Sequence, residues 1–89
     1  MRNYINEYVQ LATKLSEQSI QLYTGKVTAQ DTDTIILEPF TETDSFIDWE
    51  KLTDEDKMKI KMFTVKFEVE IFIKNIVSIS KLPKSSGYL

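Results

Sequence analysis

Phe63, Val65, Phe67, Val69, Ile71 and Ile73 occupy every second position over eleven residues. Thr64, Lys66, Glu68 and Glu70 fill the places between, and Phe72 is the one intruder. Side chains on a strand alternate between faces, so this run predicts a long strand over 63–73 with one buried face. Such a strand dominates a chain of 89 residues and sets a mainly β fold. Met58, Ile60 and Met62 alternate in the opposite phase, so either a bulge shifts the register at Met62-Phe63 or a helix ends there.

Upstream, Ile5, Tyr8, Val9, Ala12 and Leu15 recur at helical spacing, with Glu7, Gln10, Thr13, Lys14 and Glu17 between them. This predicts a helix from about Asn3 to Glu17, capped by Asn3. From Ile20 the period shortens. Ile20, Leu22 and Val27 read as a strand broken near Thr24-Gly25, where the glycine suits a bend or bulge. Asp31-Thr32-Asp33 reads as a turn and 34–37 as a β-prone run that Pro39 ends, which completes a hairpin. Residues 41–57 read as a polar, acidic insertion. Ser45 with Asp48 and Thr53 with Asp56 have the spacing of helix starts, and Phe46, Ile47, Trp49 and Leu52 can pin one short turn. Because polar loop length enters closure entropy only logarithmically, deleting about Glu42 to Asp48 is expected to cost modestly. Ile76 to Ile79 is a last short strand, and 83–89, with Pro83 and Gly87, reads as a flexible tail. One domain over 1–82 follows.

The composition removes much chemistry. There is no Cys and no His, hence no thiol, no imidazole base and no zinc site of the usual ligands. Two glycines cannot make a Gly-rich phosphate loop. Asp31 with Asp33 lacks the rest of a calcium loop and reads as a turn. No enzyme, metal or cofactor is expected. The net charge of -3 is unevenly spread. Residues 31–56 hold ten acids against Lys51 alone, and residues 57–89 hold seven Lys against Glu68 and Glu70. No apolar run reaches the length of a membrane span, and no secretory signal opens the chain, so a cytoplasmic protein is expected.

Two segments carry a family resemblance. Residues 25–38, with Gly25, Val27, Asp31 and the aliphatic run Ile35-Ile36-Leu37 before Glu38, resemble the first signature of the Sm-like family, on its bacterial, Hfq-like side. Residues 71–79, with Lys74-Asn75 ahead of the last strand, resemble the second. The two cover about half of the chain when the leading helix is included. Ile35 stands where the family has a small Asn, Lys74-Asn75 stands for Arg-Gly or Lys-His, and the insertion is longer than in bacterial members. The resemblance implies a small, strongly bent β-barrel behind an N-terminal helix, assembled as a homo-oligomeric ring.

It also implies a non-enzymatic binder of RNA or a nucleotide at the pore or subunit junctions. The resemblance implies that Lys74 neutralises phosphate there and Asn75 meets a base edge or ribose, against the plainer reading of a solvated Lys beside an ordinary Asn turn. Tyr23, ahead of the bend, reads either as a residue that stacks on a base or as a half-buried barrel aromatic. The Lys57, Lys59, Lys61, Lys66 series reads as a polyanion contact or, more simply, a charged edge. The acidic middle supports an alternative: a small phage-type inhibitor that sequesters a nucleotide signal or blocks a host nucleic-acid-binding protein. Asp54, Glu55 and Asp56 are then the partner-binding patch, although the same three acids suit a helix start.

Overall fold

The computed structural model describes residues 1–41 and 44–85. Its elements are β1 (Tyr8–Ser16), β2 (Ser19–Gln30), β3 (Thr34–Glu38), α1 (Asp54–Phe63), β4 (Val69–Phe72) and β5 (Ile76–Lys81). Short 3-10 turns cover Trp49–Lys51 and Ile73–Asn75. The strands form one antiparallel sheet in the order β4-β3-β2-β1-β5.

The N-terminal helix expected over 3–17 is a strand. Tyr8, Val9, Leu11, Ala12 and Thr13 are all buried, because β1 lies between β2 and β5 and is covered on both faces. A strand buried on both sides loses its two-residue alternation, and the apolar positions left over mimic helical spacing. Asn3 caps no helix: its Oδ1 accepts from the Ile5 amide at 2.8 Å, and Asn6 adopts a left-handed φ of 68°.

The long strand expected over 63–73 is also overturned. Its alternation is divided among the last turn of α1, a buried plug at Val65, a strand of four residues and the 3-10 turn that takes Ile73. The Val65 amide donates to the Thr24 carbonyl at 2.9 Å and sends its side chain into the core, while Phe67 is 73% exposed. The opposite phase of Met58, Ile60 and Met62 marks a helix end, one of the two readings left open.

The main core gathers Val9 and Leu11 from β1, Val27 from β2, Ile35 and Leu37 from β3, Val65 and Ile71. The registers bring them together, with Leu11 opposite both Tyr23 and Ile79, Val27 opposite Leu37, and Ile35 opposite Ile71. Gly25 is no bend. It sits in β2 opposite Val9, and the irregularity falls between Val27 and Ala29. A Cβ at Gly25 would lie 3.0 Å from the Glu38 carbonyl oxygen and 3.0 Å from Leu37 Cβ, so close approach of β3 is what requires the glycine.

Only Ile73–Asn75 link β4 to β5, yet these strands lie at opposite edges. Edges of a flat five-stranded sheet stand about 19 Å apart, at about 4.8 Å per step. Four residue steps from Phe72 to Ile76 span at most about 14 Å. The sheet therefore coils, and its two edges approach at this end. It stays open, because no ladder joins β4 to β5 among the described residues. The expected small, strongly bent β-barrel behind an N-terminal helix is thus corrected to a coiled five-stranded sheet that does not close into a barrel, with one helix in mid-chain.

Residues 39–41 and 44–52 build, with α1, a second core on the outer face of the sheet. Tyr8, Ile47, Ile60 and Leu82 are buried in it, with Phe40, Trp49 and Leu52 packed around them. The Tyr8 ring meets Phe40 edge-on at 5.2 Å, and its hydroxyl donates to Asp44 at 2.7 Å. Residues 83–85 are strapped to this layer: Asp48 N donates to the Pro83 carbonyl and Ser85 N to the Phe46 carbonyl, both at 2.9 Å. The Lys84 ammonium pairs with Glu7 at 2.8 Å. Residues 86–89 of the expected tail lie outside the described residues. Of the two expected helix starts, Thr53 with Asp56 forms a reciprocal capping box, whereas Asp48 precedes a 3-10 turn without a side-chain cap.

Burial, then the hydrogen bond to Asp44 and its charge, push the Tyr8 hydroxyl well above the usual phenol range. A proton held more tightly in the fold than in the unfolded chain gives its full stabilisation below the ordinary phenol value of 10.0. That contribution is lost as pH rises from there through the folded value. Melting followed from pH 8 to 11 is therefore expected to fall more steeply for the native chain than for Tyr8→Phe. The variant costs about 1 kcal/mol at neutral pH. Parallel curves would remove Tyr8 as the alkaline-sensitive group.

Candidate anion-binding groove

Helix α1 forms because its ends are well supplied. The Thr53 side chain accepts from the Asp56 amide at 3.0 Å, and the first turn carries Asp54, Glu55 and Asp56 where the dipole favours acids. Lys61 stands in the last turn, and Lys59 pairs with Glu55 at 3.3 Å. Ile60 is the one fully buried residue of the helix. It docks the helix on the second core and turns Met58 and Met62 outward, 62% and 63% exposed.

Trp49, from the preceding 3-10 turn, stands against this helix. Its Nε1 donates to the Asp44 carbonyl at 3.0 Å, which fixes the ring. Two concavities meet at Trp49, Ile60 and Lys61. One, of about 410 Å³, adds Lys57 and Met58; the other, of about 280 Å³, adds Phe40, Val65 and Lys66 among its walls. No acid lines either one among the described residues. Among the described residues Lys57, Lys61 and Lys66 make no ion pair, whereas Lys51, Lys59 and Lys84 each do. Three free ammonium groups around an indole wall suit an anion that carries a flat, apolar body.

The residues singled out from the sequence are not brought together. Lys74 and Asn75 lie exposed on the 3-10 turn between β4 and β5. Lys74 lines a separate concavity of about 430 Å³ with Phe72 and Ile73, and Asp33 faces it with an opposing charge. Tyr23 is half-buried against the main core and is absent from that concavity. Asp54, Glu55 and Asp56 are committed to the start of α1, two of them through named partners. Asp31 is engaged too: its carboxylate accepts from the Asp33 and Thr34 amides at 2.8 Å each, which holds it below the usual carboxylate range. Among the described residues no group of three or more Asp and Glu is placed to hold a metal ion.

Trp49 was missed as a site residue. Its signal was present: Lys57 and Lys61 follow a capping box at a spacing of four, which places both on one helix face. Compared with protein-family models, with curated proteins and with solved structures, the chain matches none. No helix among the described residues is long and apolar enough to cross a membrane.

Proposed function

We propose that this chain is a non-enzymatic binding protein for RNA or a nucleotide, acting in the cytoplasm, with the Trp49 groove as its site. The observation that carries this reading is the set of three lysines, Lys57, Lys61 and Lys66, that make no ion pair among the described residues, around an aromatic wall on a protein of net charge -3. Phosphate supplies the charge these lysines lack, and a base supplies the flat face for the indole. The likeness of residues 25–38 and 71–79 to the Sm-like signatures supports the same ligand class. The free edges of β4 and β5, with Phe72 and Val77 exposed on them, support self-association.

Trp49 is the only tryptophan, so its fluorescence reports on the groove directly. A short single-stranded RNA is expected to quench it. The double variant Lys57→Ala, Lys61→Ala is expected to weaken binding at least tenfold at low salt. It should also flatten the slope of log affinity against log salt by about 1.4, at about 0.7 per phosphate contact. Lys74→Ala serves as the rival site, and light scattering on the same samples reads self-association. Loss of binding in Lys74→Ala with the double variant intact moves the site to the β4–β5 turn. An absence of RNA and nucleotide binding, with activity that falls on neutralising Asp54 and Glu55, replaces this reading with the acidic inhibitor.

A further inference from the structure

Resting on that reading of the groove, we infer that its occupant is single-stranded nucleic acid of at least two nucleotides, bound astride Trp49 and Lys61 without regard to base identity. Two features carry the length. The two concavities share the walls Trp49, Ile60 and Lys61, so a ligand that fills both must pass over Lys61. The cations are also serial. Lys57 and Lys61 lie one helical turn apart, about 6 Å along the axis at 1.5 Å per residue, and Lys66 continues beyond the Thr64 cap. A single phosphate group reaches one or two such positions; a strand supplies an anion for each.

The lack of base selectivity follows from what the walls have already given away. The indole N–H is held by the Asp44 carbonyl, and the Thr64 hydroxyl donates to the Ile60 carbonyl. Trp49 therefore offers ring surface, and every base has a face that stacks. Lysine ammonium groups reach phosphate and do not distinguish bases at that distance. Single-strandedness follows as well, since a paired base has its faces covered by its neighbours and cannot lie on the indole.

The test is a set of Trp49 fluorescence titrations with UMP, the dinucleotide UpU, octauridylate, octaadenylate, a short RNA duplex and polyglutamate. Affinity is expected to rise at least tenfold from UMP to octauridylate, with the step already visible at UpU. The two octamers should agree within about tenfold, and duplex and polyglutamate should bind at least tenfold more weakly. Lys61→Ala and Lys66→Ala should each reduce the octamer salt slope by about 0.7, and Lys14→Ala, on the far hairpin, should leave it unchanged. Circular dichroism confirms that these surface variants fold. UMP binding as tightly as the octamer overturns the inference and leaves the nucleotide reading standing. Duplex or polyglutamate binding as tightly, or one base preferred by far more than tenfold, overturns it too. Failure of every nucleic acid to bind removes the proposed function with it.

Discussion

A chain lacking residues 44–48 is expected to show no cooperative thermal transition. The segment is short, polar and acidic, and its composition alone implies a dispensable loop. That expectation covers about Glu42 to Asp48, of which 42–43 lie outside the described residues; over 44–48 the structure argues the reverse. Ile47 is 3% exposed in the second core, and truncating a buried aliphatic of this kind costs about 2–5 kcal/mol. Asp44 holds both the Tyr8 hydroxyl and the Trp49 indole, and Phe46 and Asp48 are the partners of residues 83–85. Their combined loss approaches the whole stability of a domain this size, about 5–15 kcal/mol. Ile47→Ala alone is expected to lower the melting temperature by roughly 10–25 °C. A deletion variant that melts cooperatively within about 5 °C of the native chain would show the segment to be a loop after all.

Gly25 gives the second large effect. A glycine with ordinary negative φ is normally a position where alanine stabilises by about 0.4–1 kcal/mol, through the entropy of the unfolded chain. Here the added carbon meets the Glu38 backbone oxygen and Leu37 Cβ at 3.0 Å and Val65 Cγ2 at 3.4 Å. Relieving that overlap moves β3 away from β2, and overpacking of this kind costs about 1–3 kcal/mol. Steric cost therefore exceeds entropic gain. Urea unfolding of Gly25→Ala is expected to show a net loss of about 1–2 kcal/mol. Gly25→Val, which adds two methyl groups in the same space, is expected not to fold. An alanine variant more stable than the native chain would mean that β3 yields freely.

What the sequence revealed and concealed follows from how each element is covered. The strands expected over 20–27, 34–37 and 76–79 fall within β2, β3 and β5, and were readable because a turn, a proline or an Asn bounded each of them, although the break expected near Gly25 is absent from β2. The Thr53 start of α1 was readable because capping is local chemistry. The strand β1 was hidden because a layer that includes Ile47, Trp49 and Leu52, from the segment 41–57 that reads as an insertion, buries Tyr8 on its second face. The perfect alternation over 63–73 misled because periodicity does not record where the chain turns away from a sheet. At the candidate site the lysines are visible in the sequence, where they read as a polyanion contact or, more simply, a charged edge. Their relation to Trp49 depends on the packing of Ile60 under the helix, and no local pattern encodes that.

The position of β5 beside β1 has a consequence for the chain as it is made. Leu11 pairs with Ile79, so one side of an interior strand waits for residues synthesised long afterwards. At about 5–20 residues per second that wait is about 3–14 s. Once β3 is made, β1, β2 and β3 can close as a local meander, while the backbone edge destined for β5 keeps its N–H and C=O groups bare. Contacts this distant in sequence also form slowly once the chain is complete. The moment of greatest vulnerability to mispairing therefore falls during translation, when neighbouring nascent chains on one message offer the same bare edge to one another.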